Sequence, residues 1–186
     1  MQMPPAKKLQ VSNFVDKLTQ YTKLKKTLNT RYGTHEDGFF RGISYYDIEQ
    51  TVGDEILKFI PEEYRNCFQV VLMIINKQDI PPHIDSNVSV AINFYLKTAG
   101  DSVTTFYELP VDKTSKKIEN QTDGCIFDYN DLVEQYNFTA KEDEVWILNV
   151  KTPHSVKCET SGLRIAFCVS SSTISYENAC KILNLK

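Results

Sequence analysis

The sequence predicts an α+β protein that is mainly β, with a β-sandwich or barrel and helices packed on one outer side. From residue 68 onward, short runs of β-branched and aromatic residues alternate with turn residues, which is typical of antiparallel strands. Helical patterns precede these runs and one follows them. Helices followed by many strands favour this class, and a jelly roll is one fold within it. The pattern alone does not separate a jelly roll from other sandwiches.

A chain of 186 residues, of which 41% are apolar and 24% charged, fits a single globular domain. This composition excludes a fibrous repeat and a disordered chain. We expect residues 1–66 to form a helical support, residues 67–172 the β core and residues 173–186 a closing helix.

Three segments have the periodicity and the cap residues of helices. In residues 12–28 apolar side chains recur at steps of three and four, with lysines between them. A second helical pattern covers residues 44–60 and is followed by a connector at 62–66, and a third covers residues 175–185. Residues 32–42, rich in glycine and charge, are predicted to form a loop.

The strand-like runs occupy five separate stretches of the second half. They cover residues 68–75, 88–96, 102–109, 144–150 and 163–171. Between the third and the fourth run, residues 110–141 are polar at first and mixed later, so we predict an insertion or a lid there.

Composition also limits the compartment and the partners. Residues 1–8 have no apolar stretch typical of a signal peptide, and the longest apolar run, 70–75, is too short to span a bilayer. The five cysteines are an odd number without CxxC spacing, which argues against a disulfide framework and a cysteine zinc site. We therefore expect a cytoplasmic protein without a membrane partner.

Residues 1–31 are basic, with seven Lys and Arg and a single acidic residue, Asp16, so this segment can contact nucleic acid. A solvated helix face is the simpler interpretation, and the net charge of −3 does not favour nucleic acid.

The sharpest local motif is the stretch PPHID, with His83 and Asp85, between two apolar runs. Side chains alternate on an extended backbone, so His83 and Asp85 point to the same side. His154 follows the apolar run at 144–150 after a turn. Two histidines and one carboxylate form the facial triad of non-haem Fe(II) oxygenases, which leaves positions open for a co-substrate and O₂.

Ten residues after His154, Arg164 lies in an apolar strand-like run. A guanidinium among apolar side chains needs a hydrogen-bonding partner. Its planar group can donate two parallel hydrogen bonds to one carboxylate. A dicarboxylic co-substrate would supply one. The alternative is an arginine at a strand end that reaches solvent or pairs with an acidic neighbour.

The order of these motifs resembles the Fe(II)/2-oxoglutarate-dependent oxygenase superfamily, and in particular its compact prolyl-hydroxylase-like members. The resembling motifs are HID, AINFYLK, VTTFYE, DEVWILNVKTPHSV and LRIAFC, within residues 68–172. The resemblance implies a double-stranded β-helix, which is a distorted jelly roll. It also implies Fe(II) held by His83, Asp85 and His154, and the distal carboxylate of 2-oxoglutarate held by Arg164.

The resemblance extends to a tyrosine on the strand after the HxD motif, where Tyr95 is the candidate for a further contact to the co-substrate. Asn93 lies on the same strand face and can also point inward. Two features depart from the family pattern. Asp101 and Ser102 replace a glycine pair, and Ala166 replaces the serine of the Arg-x-Ser form, so a second polar contact to the co-substrate is unassigned.

Three other interpretations remain open at this point. A cupin-like metal protein shares the architecture but usually has more histidines than the three of this chain. A non-catalytic binding domain can use residues 110–141 for recognition, and ordinary surface positions can account for each ligand alone. For the oxygenase we expect hydroxylation, or demethylation through it, of a peptidyl or small-molecule substrate, with a nucleic-acid base as the alternative. Trp146 and Phe127 are candidates for the pocket wall, although core positions are the simpler interpretation.

Overall fold

The structure is a computed structural model that describes residues 3–11, 30–34, 42–76, 79–113, 116–117, 124–158 and 162–185. Strands of two antiparallel sheets account for most of the regular secondary structure within these residues, so the prediction of a mainly β fold is confirmed. The helix predicted at residues 12–28 lies outside the described residues. Strands and helices are numbered below in chain order.

The larger sheet has seven strands within the described residues, in the spatial order β1-β11-β6-β13-β4-β3-β2. Their bounds are Ala6–Leu9 (β1), Thr30–Thr34 (β2), Ile43–Tyr46 (β3), Gln69–Ile75 (β4), Val90–Lys97 (β6), Val145–Leu148 (β11) and Arg164–Ser171 (β13). Four of them, β4, β6, β11 and β13, are apolar runs that the sequence predicted, which confirms those strands.

The smaller sheet has six strands within the described residues, in the order β10-β7-β12-β5-β9-β8. Their bounds are Asp79–Ile84 (β5), Val103–Glu108 (β7), Lys116–Lys117 (β8), Cys125–Ile126 (β9), Val133–Thr139 (β10) and His154–Lys157 (β12). The fifth predicted run is β7, which is also confirmed. Residues of both sheets, among them Tyr95 of β6 and Phe106 of β7, pack into one buried cluster, so the two sheets face each other.

Within the described residues, two α-helices cover the outer face of the larger sheet. They are Gln50–Leu57 (α1) and Tyr176–Ile182 (α2), and in one buried cluster Ile56 and Ala179 pack with Phe94 of β6. The Ser175 hydroxyl caps α2 by accepting a hydrogen bond from the Asn178 backbone N–H at 3.3 Å. The closing helix is therefore confirmed. In the described part of the chain, no helix combines the length and the apolar character needed to cross a membrane.

The predicted helix at residues 44–60 is wrong in its first part. Ser44 is not a helix cap, because Ile43–Tyr46 forms β3 and pairs with β4. Pairing of an aromatic, β-favouring segment with a buried neighbour overrides the local cap signal. The helix begins only at Gln50, without a side-chain cap hydrogen bond. The predicted connector after it forms a 3-10 helix, Glu62–Cys67.

Two predicted loops also contain strands. The segment 32–42 begins within β2. The segment 110–141, predicted as an insertion or a lid, ends in β10, a strand of the smaller sheet that pairs with β7 with one register irregularity between Glu134 and Tyr136. Earlier in this segment, β9 pairs with β5 opposite His83 and Ile84. The described parts of the segment therefore extend the smaller sheet at both of its edges, with β10 beside β7 and with β9 and then β8 on the side of the HxD strand β5.

Candidate metal centre

Three side chains that can bind a metal converge where β5 and β12 meet. His83 lies near the end of β5, Asp85 follows the strand directly, and His154 begins β12. The two strands are antiparallel neighbours, and His154 lies directly opposite His83 in the register. Residues paired in this way project from the same face of a sheet. Pairing between strands that are 70 residues apart in the chain thus brings the two imidazoles together.

The distances among these side chains fit a single bound ion. Asp85 Oδ1 lies 3.2 Å from His83 Nε2 and 3.7 Å from His154 Nε2. All three ligand atoms lie within 4.8 Å of one another. Two ligands about 2.1 Å from an ion and at right angles to each other are about 3 Å apart. The three groups can therefore hold a metal ion on one side and leave its other side open.

Backbone carbonyls orient both imidazoles. His83 Nδ1 lies 2.9 Å from the carbonyl oxygen of Pro81, and His154 Nδ1 lies 3.0 Å from that of Thr152. A carbonyl oxygen only accepts, so each Nδ1 carries the proton and donates it. Whenever either ring is neutral, its Nε2 is therefore the unprotonated atom, and both Nε2 atoms face Asp85.

The protonation states at neutral pH also suit a metal. The pKa of His154 is lowered from 6.5 to about 4, chiefly by burial and then by the charge of His83. For Asp85, burial acts to raise the pKa, but the hydrogen bond with His83 and the charges of His154, His83 and Lys151 outweigh it and lower the pKa. A neutral imidazole and an ionised carboxylate are the forms that ligate metals.

The metal-free protein should lose stability as the pH falls from about 6.5 to about 4. The unfolded chain takes up a proton at His154 across this window and the folded chain does not, so the free energy of unfolding decreases as the solution becomes more acidic. The contribution reaches at most about 3 kcal/mol. Urea unfolding at several pH values, for the protein and for His154→Gln, measures it as the difference between the two curves. Parallel curves would show that His154 contributes nothing.

The side chains of His83, Asp85 and His154 line a cavity between the two sheets. The polar residues that line it are His83, Asp85, Asn93, Tyr95, Thr104, His154 and Arg164, with Tyr45 and Cys168. The space open to the centre of a water molecule is about 90 Å³. One ordered water needs about 10–15 Å³ of such space, so a ligand of several heavy atoms fits. The six residues that the sequence suggested as ligands of the metal or contacts of the co-substrate thus line one cavity.

Arg164 is the buried cation of this cavity. It begins β13, pairs with Ile75 of β4, and has only 5% of its surface exposed. Its Nη1 is buried and makes no hydrogen bond within the described residues. The alternative in which Arg164 reaches solvent is therefore wrong. A buried guanidinium nitrogen without a partner is costly, and an anionic ligand in the cavity would supply the missing acceptor.

Asn93 and Tyr95 lie side by side on the inner face of β6. Both are buried, and Asn93 Nδ2 donates to the Tyr95 hydroxyl at 3.5 Å. The Tyr95 hydroxyl accepts this bond, so its own proton is available to a ligand. The Oδ1 atom of Asn93 is buried without a hydrogen bond in the described structure. The pair offers the cavity one donor and one acceptor.

The preferred interpretation of Trp146 and Phe127 as core residues agrees with the structure, but the sequence interpretation missed other residues of the cavity wall. Trp146 stacks on Phe138 at a centroid distance of 3.9 Å, Phe127 donates its backbone N–H to Pro82 at 3.0 Å, and neither lines the cavity. Cys168 does line it, and the two-residue alternation from Arg164 along β13 gives the signal that could have identified it. Burial, and then the charge of Asp85, raises the pKa of the Cys168 thiol to about 12, so it is protonated at neutral pH.

Comparison with known proteins identifies the fold. No protein-family model matches the chain, and no curated protein matches it in sequence. Among solved structures, the chain is similar to the epimerase SnoN in complex with Fe3+, alpha ketoglutarate and nogalamycin RO. The TM-score is 0.56 at 10% identity, over 89% of this chain and 78% of that chain. A second structure of SnoN, the non-heme alpha ketoglutarate dependent epimerase from nogalamycin biosynthesis, gives a TM-score of 0.55 at 10% identity, over 90% and 78%.

A prolyl-4-hydroxylase from Pseudomonas putida is also similar, with a TM-score of 0.50 and 11% identity over 90% of this chain and 91% of that chain. At these identities the likeness shows a shared fold and does not transfer an activity. The architecture is therefore that of a jelly roll. The chemistry has to be argued from the cavity itself.

Proposed function

We propose that this chain is an Fe(II)- and 2-oxoglutarate-dependent dioxygenase with a double-stranded β-helix core. The observation that carries the proposal is the content of one cavity. It has two imidazoles and a carboxylate arranged for one metal ion, together with a buried arginine whose Nη1 lacks a partner in the described structure. The folds of SnoN and of the prolyl-4-hydroxylase support it, because both are similar in architecture.

The donor set fits iron and a dicarboxylate. His83, Asp85 and His154 would hold the metal through Nε2, a carboxylate oxygen and Nε2, and their carbonyl-bound Nδ1 atoms keep the rings in place. When bound, iron and 2-oxoglutarate supply the oxidation, in which O₂ converts 2-oxoglutarate to succinate and CO₂ and hydroxylates one C–H bond of the substrate. The remaining tasks fall to the protein: orientation, charge neutralisation and exclusion of water.

Arg164 would bind the distal carboxylate of 2-oxoglutarate. The guanidinium is buried in the same cavity as the metal ligands, and its fork suits a carboxylate. Tyr95 would donate a hydrogen bond from its hydroxyl to the co-substrate, since the hydroxyl oxygen already accepts a hydrogen bond from Asn93. Asn93 Oδ1 is an acceptor, so it suits a bound water or an N–H or O–H group rather than a carboxylate.

Apolar side chains from both sheets form the rest of the wall and would keep water away from the reacting groups. They are Ile43, Met73, Ile75, Ile80, Ala91, Leu148, Val150 and Val156. A dry wall strengthens the attraction between Arg164 and a carboxylate, because charges interact more strongly at low dielectric constant. The same wall leaves few competing polar partners for the co-substrate.

For the substrate we propose a peptidyl or small-molecule C–H bond, in a cytoplasmic enzyme. None of the five cysteines, all within the described residues, forms a disulfide, which fits a reducing compartment. Folds of this kind support different outcomes, as the epimerase and the hydroxylase illustrate, so the scaffold does not select the substrate.

Anaerobic addition of Fe(II) with and without 2-oxoglutarate tests the proposal. We expect a visible charge-transfer band that develops only when both are present, because the band requires the co-substrate to bind the metal. Iron binding without a co-substrate-dependent band would favour a cupin-like metal protein. No iron binding by the folded protein would favour a non-catalytic binding domain, and either result contradicts the dioxygenase.

A further inference from the structure

We propose that Lys151 is a positioning residue of this metal site: its ammonium binds the backbone carbonyl of Asp85 and holds that carboxylate beside the two imidazoles. The inference rests on the proposed function. Lys151 lies three residues before His154, in the turn between β11 and β12. A lysine in such a turn is usually solvated, yet Lys151 is partly buried and its Nζ donates to the Asp85 carbonyl oxygen at 3.0 Å.

Asp85 needs such support because it lies beyond the end of its strand. β5 ends at Ile84, and Asn87 already has a positive φ of 56°, so the chain turns sharply after the ligand. The Asp85 N–H donates to the carbonyl oxygen of Val150 at 3.1 Å, and its carbonyl oxygen accepts from Lys151. Two adjacent residues of one turn therefore hold the backbone of the ligand on both sides.

The same turn orients the third metal ligand. The Thr152 N–H donates to the Asn149 carbonyl oxygen at 3.1 Å, and the Lys151 N–H donates to Asn149 Oδ1 at 3.3 Å. The carbonyl of Thr152 then accepts from His154 Nδ1. One small hydrogen-bonded turn thus sets the direction of the His154 ring and, through Lys151, the place of Asp85.

The charge of Lys151 strengthens its contact with the backbone of Asp85. Its donor is an ammonium, and hydrogen bonds with a charged donor are shorter and stronger than neutral ones. The contact to Val150 is between backbone atoms, so Lys151 is the part of this support that a substitution can remove.

Isothermal titration with Mn(II) alone, at a temperature well below unfolding, tests the inference. In Lys151→Met we expect the Kd for Mn(II) to rise about ten- to a hundredfold, the usual effect of losing a group that orients a metal ligand. Lys151→Arg keeps a charged donor and should bind within roughly threefold of the unchanged protein. Lys157→Met, at an exposed lysine at the end of β12, removes the same charge and should leave the Kd unchanged.

Three results would overturn the positioning role. The first is a Kd for Mn(II) in Lys151→Met that lies within twofold of that of the unchanged protein. The second is a loss of Mn(II) affinity in Lys151→Arg as large as that in Lys151→Met. The third is a lowered Tm in Lys151→Met with an unchanged Kd, since that pattern belongs to a merely structural lysine. Failure of the proposed function gives another pattern, in which the unchanged protein and His83→Ala bind Mn(II) equally weakly.

Discussion

His83→Ala should abolish metal binding at the site while the protein remains folded. The imidazole supplies one of three ligand atoms that lie within 4.8 Å of one another, and no other described side chain completes the set. Loss of a group that only orients a ligand already costs about ten- to a hundredfold in affinity, so loss of a ligand itself should cost more than about a hundredfold. Titration with Mn(II) measures the affinity, and far-ultraviolet circular dichroism checks the fold.

Cys168→Ser is the matched control for this prediction. Cys168 lines the same cavity, but its thiol is protonated at neutral pH because burial raises its pKa. A protonated thiol is a poor ligand, so the substitution should leave the Mn(II) affinity unchanged. An equal loss in both variants would mean that the metal has four protein ligands, which contradicts a facial triad of three.

The sequence was informative about the strands because their burial follows a simple period. In β6, Ile92 and Phe94 contact the outer helices, and Asn93 and Tyr95 face the cavity, as two-residue alternation requires. Edge strands lack this signal. β1 reads AKKL, with only its end residues buried, so nothing in the sequence distinguishes it from a loop.

The errors near residue 44 have a different cause. Ser44 has the chemistry of a helix cap, but Tyr45 pairs with Met73 of β4, almost thirty residues away. A long-range pairing determines the conformation, and a single sequence does not display which segments pair. Tyr45 lines the cavity, but it could not be predicted as a wall residue because its segment was assigned to a helix.

The metal ligands could be predicted from the sequence, because their residue types and their spacing indicate a metal site. His83 and Asp85 are two residues apart on an extended chain, and side-chain alternation predicts that they point to the same side. Lys151 could not be found in this way. Its contact is with a backbone carbonyl oxygen, which any residue possesses, so no pair of side-chain types marks it. Such supporting contacts become visible only when the turn that carries His154 is placed against β5.

Arg164→Ala should retain metal binding and lose most of its affinity for 2-oxoglutarate. Arg164 begins β13 in the larger sheet, whereas His83 and His154 lie in the smaller sheet, so the substitution leaves the ligand atoms in place. Truncating one partner of a buried, hydrogen-bonded charge pair costs about 2–5 kcal/mol. At about 1.4 kcal/mol per tenfold, a loss of about 3 kcal/mol is more than a hundredfold in Kd. Anaerobic titration of 2-oxoglutarate into the metal-loaded protein gives the value.

The co-substrate itself offers a control that isolates the contact. In 2-oxopentanoate a methyl group replaces the distal carboxylate, so it binds the metal through the same groups but has nothing for Arg164 to hold. The unchanged protein should prefer 2-oxoglutarate strongly, and Arg164→Ala should bind both compounds with similar, weak affinity. Comparing two ligands with two proteins removes effects that the substitution has on the cavity as a whole, as a double-mutant cycle does.

Arg164→Lys separates charge from shape in the same experiment. Lysine keeps the positive charge but loses the planar fork that donates two parallel hydrogen bonds to a carboxylate. Its preference for 2-oxoglutarate over 2-oxopentanoate should therefore lie between those of the unchanged protein and Arg164→Ala. If Arg164→Ala kept the full preference for 2-oxoglutarate over 2-oxopentanoate, another group would bind the distal carboxylate. Arg164 Nη1, which has no partner in the described structure, would then bind a different anion. Tyr95, whose hydroxyl can donate a hydrogen bond, would be the next residue to replace.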